Sequence, residues 1–166
     1  MAIKKLSAET LRQQKGISFP GITTCFFCYS RQGELFMGRR SHNARDEHDR
    51  WENGGGGLKW GSTVEANIRR EIKEEYNATA LKLEFLGYRD VFRTLEDGTP
   101  THWVGLDYAV LVDPSEIKIN EPDMFDDSGW FRLDNLPTPL HSQFEPAVKK
   151  YYPRLSQILK NRYAAS

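Results

Sequence analysis

Glu71, Glu74 and Glu75 fall in the stretch R-E-I-K-E-E-Y-N-A (70–78), shortly after a run of four glycines, Gly54–Gly57. A helix advances roughly 100° per residue, so the three carboxylates share an arc of about 100°. On the same wheel Val64, Ile68 and Ile72 form an apolar stripe, and Glu71 and Glu75 sit at its edge rather than opposite it. Carboxylates placed there repel one another and resist desolvation unless something positive joins them. A hard divalent cation such as Mg2+ meets that demand, because it takes oxygen ligands and keeps waters for a phosphate-bearing substrate. The alternative is a solvated charged helix, since E-x-K-E-E strings are common on surfaces and Glu is a good helix former. The glycines fit the first reading: residues without Cβ let a charged ligand approach main-chain amides, which makes Gly55 and Gly56 candidate phosphate contacts. Against that stands a flexible loop; the run also lacks the lysine and hydroxyl residue of a P-loop.

Gly56, Arg70, Glu71, Ile72, Glu74 and Glu75 match the Nudix box, G-x5-E-x7-R-E-U-x-E-E-x-G-U with U aliphatic, without a gap, so the chain resembles a MutT-like Nudix hydrolase. The resemblance extends upstream through L-F-M-G-R-R (35–40) and W-E-N-G-G (51–55), and downstream through G-W-F-R-L-D-N-L-P (129–137), covering roughly residues 20 to 160. Two box positions depart from the pattern. Asn77 replaces the closing glycine, a mild change because Asn also tolerates the left-handed conformation of a C-cap. Ser62 replaces the first glutamate, which in the family helps to organise the metal site and the arginine. The sequence S-T-V-E (62–65) predicts a capping box in which Ser62 accepts from the Glu65 amide. Lys59 stands where many members carry an acidic residue, and Gly54 where proline is usual, which predicts a floppier loop.

The resemblance implies Mg2+, with Mn2+ as a substitute, bound by Glu71, Glu74 and Glu75; Glu71 as ligand or general base; and Arg70 orienting the carboxylates. It also implies an arginine on the substrate phosphates at Arg39 or Arg40, and an additional acid after the box, for which N-E-P-D-M-F-D-D-S-G-W (120–130) offers Glu121 and Asp127, beside Asp123 and Asp126. Because strand neighbours point oppositely, one of Arg39 and Arg40 faces the site, unless both form solvated ion pairs with Asp46, Glu47 or Asp49. Trp51, Trp60, Trp103 and Trp130 suit base stacking or, more commonly, burial in the core.

Composition narrows the field. The 166 residues carry 23 Lys and Arg against 23 Asp and Glu, a formal net charge of zero, so no broad face for a nucleic-acid polymer or anionic membrane is expected. No stretch approaches the roughly 20 apolar residues of a membrane span, and a cytoplasmic protein is expected. Cys25 and Cys28 form a C-x-x-C, but no second pair accompanies them and the four histidines lack finger spacing. In a strand, residues three apart point to opposite faces, so two reduced cysteines are expected.

One domain over residues 1–166 is expected, with residues 1–19 as an N-terminal extension and 142–166 as a C-terminal helical segment. Helices are predicted at 7–15 with Ser7 as cap, at 63–76, and from Ser142 onward, where Leu155, Ile158 and Leu159 share a face and Pro153 starts a new helix or kinks the old one. Strands are predicted at 21–30, 34–39, 80–94, 101–112 and 130–133, with a charged loop at 41–50 and a turn at Glu96, Asp97 and Gly98. Fold class is α/β (α+β), a mixed sheet consistent with the α/β/α sandwich that the resemblance implies.

The expected activity is Mg2+-dependent hydrolysis of a diphosphate linkage in a nucleoside diphosphate derivative, a small-molecule nucleotide. A nucleoside triphosphate, oxidised ones included, cleaved to monophosphate and pyrophosphate is preferred, and ADP-ribose or a nucleotide sugar is the alternative. From another class, Ser62 motivates a catalytically weak module that binds nucleotides or a partner. A homodimer is compatible with the chain.

Overall fold

Why the middle of the chain is buried on both sides follows from its first long strand, G-I-T-T-C-F-F-C-Y. The computed structural model describes residues 7–95 and 97–160, and in it β1 (Gly21–Tyr29) buries every side chain from Phe26 to Tyr29. Strand neighbours alternate faces, so Phe26 and Cys28 enter one apolar cluster while Phe27 and Tyr29 enter the other. Strand β2 (Glu34–Arg40) continues the division, with Phe36 on the first side and Leu35 and Met37 on the second.

Seven strands among the described residues form one mixed sheet. Its main order is β3 (Trp51–Glu52), β2, β1, β6 (Pro100–Leu111), β5 (Lys82–Thr94); β4 (Gly54–Gly57) pairs with β1 and β7 (Phe125–Arg132) with β2. The β1–β6 pairing is parallel and the others are antiparallel. Helix α2 (Val64–Tyr76) covers one face through Ile68, Ile72 and Tyr76, each fully buried and four residues apart. Helix α3 (Phe144–Lys160) covers the other through Phe144, Ala147, Tyr151, Leu155 and Leu159. The expected α/β/α sandwich is what forms. The short α1 (Ala8–Gln14) is capped by Ser7, whose hydroxyl accepts the Thr10 N–H.

Several expectations need correction. The glycine run is not a floppy loop but a strand, held to Thr23–Phe26 of β1 and fastened by the Thr23 and Thr24 hydroxyls, both 3.1 Å from Gly56 O. Helix α2 starts one residue later than the capping box implied: Thr63, not Ser62, accepts the Ala66 N–H, while the Ser62 hydroxyl donates to Thr63 O. Its C-cap Asn77 has φ 55°, as the box comparison required. Pro153 does not start a new helix; it sits on the exposed side of α3, and the stripe Tyr151–Leu155–Leu159 anchors the helix on both sides of it. Strand β7 begins at Phe125 rather than 130, which takes Asp126 and Asp127 out of the acidic loop. Both cysteines are free. Trp51 is buried and Trp130 packs on Phe36, but Trp60 is fully exposed. Glu96, one of the three predicted turn residues, lies outside the described residues, as do 1–6 and 161–166 of the two terminal segments. No described helix is long and apolar enough to cross a membrane.

Candidate active site

The glycines of β4 lie where α2 turns its acidic edge toward the sheet. A Cβ at Gly56 would overlap the Glu71 carboxylate, and one at Gly54 would lie 2.6 Å from Glu75 Oε2 while overlapping the Phe26 ring. Glycine is required here so that two carboxylates can press against the backbone of a strand.

Glu75 is the most unusual of the three acids. Its Oε2 is buried with no hydrogen-bond partner. Burial first, then the charges of Glu52, Glu71 and Glu121, push its carboxyl well above the usual glutamate range, against the pull of the Gly55 N–H. Glu71 is only 13% exposed and accepts from Arg70. Glu74, at 49%, accepts from the same guanidinium and approaches Lys59 Nζ at 4.0 Å. With Glu71 and Glu74 both turned to Arg70, no three acidic, histidine or cysteine side chains among the described residues are arranged to hold a metal as they stand. The donor chemistry nonetheless fits a hard cation, since Glu75, with its orphaned oxygen, lines one cleft together with Glu52 and Glu121.

A cleft of about 550 Å³ opens beside this cluster. Glu75, Glu52, Glu121 and the four glycines line it, so sequence-predicted Gly55, Gly56, Glu75 and Glu121 come together there. Of the arginine pair, Arg40 faces the cleft and Arg39 does not. Arg40 is bound on all sides, with Nη1 2.6 Å from Glu52, Nη2 3.0 Å from Asp46 Oδ1, and Nε donating to Asp46 O at 2.7 Å. Arg39 lies 3.7 Å from Asp49. Asp127 sits on exposed β7 in register with Arg39, accepts the Ser128 N–H, and does not line the cleft.

Sequence reasoning missed the far walls. Arg89, Val91 and Arg93 of β5 point into the cleft by period-two alternation, and Lys15, Thr101 and Trp103 close it. Arg93 Nη2 donates to both Asp46, at 2.9 Å, and Glu47, at 3.0 Å. Lys15 Nζ donates to Leu58 O and lies 5.5 Å from the Trp103 ring centre. Glu52 was missed as well: its position two residues before the glycine run is a signal only once β3 pairs Glu52 with Gly38. Burial pushes its carboxyl up although Arg40 opposes. Cys25 borders the cleft, but burial and then Asp107 raise its thiol to about 12, so no thiolate is available near neutral pH.

Residues 20–155 match the profile of the NUDIX domain, and the chain therefore belongs to the Nudix family, hydrolases of pyrophosphate bonds that generally use divalent metals. Among solved structures it is similar to a MutT NUDIX hydrolase from Burkholderia pseudomallei, at 27% identity over 80% of this chain and 98% of that one, with TM-score 0.68. The NUDIX domain of Shewanella oneidensis NrtR, solved in complex with ADP ribose, is 18% identical over 91% of this chain and 99% of that one, with TM-score 0.66. A MutT protein from Methanosarcina mazei, 18% identical over 87% and 96%, has the same fold at TM-score 0.58.

Proposed function

We propose that the chain hydrolyses the diphosphate linkage of a nucleoside triphosphate, oxidised forms included, releasing monophosphate and pyrophosphate. The single observation that carries the reading is the buried, unpartnered Glu75 carboxylate oxygen at the acidic end of a cleft whose other walls are cationic. Glu75 and Glu71 would hold a divalent cation, Mg2+ or Mn2+, with Glu74, oriented by Arg70, completing the set. When bound, the cation supplies charge neutralisation on the phosphates and a lowered pKa for an attacking water. Glu71, held against Gly56 and paired with Arg70, would serve either as a ligand in that set or as general base toward the water. Arg70 restrains Glu71 and Glu74. The Arg89 guanidinium, which lines the cleft with Gly56, offers donors to phosphate oxygens.

Release of phosphate or pyrophosphate from nucleoside triphosphates, ADP-ribose, nucleotide sugars and dinucleoside polyphosphates, with Mg2+ or Mn2+, tests the reading against Glu75→Gln. Pyrophosphate release from triphosphates that falls by at least two orders of magnitude in the variant is expected, because several kcal/mol of transition-state stabilisation would go with the cation. Turnover confined to ADP-ribose or nucleotide sugars would replace the substrate class; unchanged rates in Glu75→Gln would sink the site.

A further inference from the structure

We infer that Asn67 is the positioning residue for Arg70 in this chain, doing from within helix α2 what the first box glutamate does in the family where Ser62 stands here. The inference rests on the reading of Glu71, Glu74 and Glu75 as cation ligands.

Asn67 is fully buried, one turn before Arg70, on a helix face otherwise given to Ile68, Ile72 and Tyr76. Its Oδ1 accepts from Arg70 Nη2 at 2.8 Å and from the Lys59 N–H at 3.2 Å, and its Nδ2 donates to Thr24 Oγ1 at 3.0 Å. The amide orientation is fixed by its surroundings, since turning it over would set an NH2 group against two N–H donors. Thr24 spends its own hydroxyl proton on Gly56 O, so it accepts from Nδ2. One side chain therefore joins the guanidinium, the end of the glycine strand and β1, and through Arg70 it fixes where Glu71 and Glu74 stand.

Ser62 does not do this. Its hydroxyl is spent on the carbonyl of Thr63. Arg70 Nε is meanwhile buried without a partner. The guanidinium thus has Asn67 as its anchor apart from the carboxylates, and one donor left open. A purely structural Asn67 would need only Lys59 and Thr24; the bond to Arg70 is what ties it to the carboxylates.

Mn2+ binding to the whole protein, followed by titration calorimetry without substrate, separates the two roles. Asn67→Ala is expected to weaken Mn2+ on the order of tenfold or more, the usual penalty for losing a group that orients metal ligands. Ser62→Glu alone is expected to change affinity by less than about threefold. In the Asn67→Ala background it is expected to restore most of the loss, while the melting temperature stays below wild type because the link to Thr24 is still missing. Asn67→Asp keeps the acceptor toward Arg70 and is expected to bind Mn2+ within about threefold of wild type; if Asn67→Ala does not fold, a tenfold loss in Asn67→Asp overturns the assignment. Wild-type affinity in Asn67→Ala, or a loss that Ser62→Glu leaves unrepaired, also overturns it. Glu75→Gln is the control: binding that survives it overturns the cation reading itself, whereas binding lost in Glu75→Gln and kept in Asn67→Ala removes Asn67 alone.

Discussion

Arg89 enters the cleft floor with its Nε committed to Asp107, 3.1 Å away, while its two terminal nitrogens make only long contacts, 3.4 Å to Gln143 and 3.8 Å to the Cys25 sulfur. Arg40 is bound at all three guanidinium nitrogens and Arg93 is tied through Nη2 to two carboxylates, whereas both terminal nitrogens of Arg89 make only long contacts, which places Arg89 to give donors to a substrate anion. Asp107 is fully buried and takes a second bond from the Tyr151 hydroxyl at 3.1 Å, which holds the pair in one orientation. Removing Arg89 would strand that carboxylate, and Arg89→Ala is expected to cost about 3–5 kcal/mol in a denaturant melt. Arg89→Lys keeps the charge but not the fork. Its expected signature is a KM about tenfold higher with kcat changed by less than about threefold, since a bond worth about 1.4 kcal/mol to substrate and transition state alike is lost. Steady-state kinetics on the preferred nucleotide decides this, and an unchanged KM would mean that the substrate does not touch Arg89.

At the scale of elements, strand β4 makes the sharpest contrast, because its glycines are constrained by different neighbours. At Gly56 a methyl group meets the tip of Glu71, which can swing; at Gly54 it meets the ring of Phe26, which is fully buried in the core, as well as Glu75. Gly56→Ala is therefore expected to lower activity more than tenfold at nearly wild-type stability, whereas Gly54→Ala is expected to lose about 1–3 kcal/mol through overpacking. Activity assays beside thermal melts of the two variants check the split. This strand also marks where the sequence stopped being readable. Helix α2 was legible because its apolar residues recur every four positions and its acids crowd one edge. Four glycines have no side-chain alternation, so nothing in them distinguishes strand from loop until Thr23–Phe26 supply the partner. Glu52 and Asn67 were illegible for a related reason: the meaning of each comes from a partner distant in sequence, Gly38 across a strand pair in one case and the Thr24 hydroxyl in the other. The cleft arginines of β5 required knowing which face of the strand turns inward.

Over the whole molecule the net charge is zero, yet the wall of the cleft is a closed ionic network joining the 41–50 loop to β2, β5 and the start of α3. Glu47 accepts from Arg93 and from the Ser142 backbone at 2.7 Å, and His141 Nε2 lies 3.5 Å from it. His141 Nδ1 accepts the Gln143 N–H, so that nitrogen cannot take a proton without losing a bond. Burial is the largest influence on the ring and, despite the attraction of Glu47, lowers its pKa from 6.5 to about 4. Between those values the unfolded chain binds a proton that the folded chain refuses, so the stability His141 contributes is complete above about pH 6.5 and drains away as pH falls toward about 4. The loss amounts to at most about 3 kcal/mol, or several degrees of melting temperature in a domain of this size. Asp46 is held below the usual range although burial opposes, because Arg93, Arg45 and Arg40 outweigh it, and Glu47 is held down likewise by Ser142 and His141. Their contributions are present above the ordinary carboxylate values and vanish only below them, which separates them from the histidine. Melting curves of the metal-free protein from pH 7 to pH 3 should thus fall in two stages. His141→Asn retains an acceptor for the Gln143 amide and cannot titrate, so it is expected to flatten the first stage and leave the second; an unaltered first stage would assign that slope to another group and free His141 from the wall's pH response.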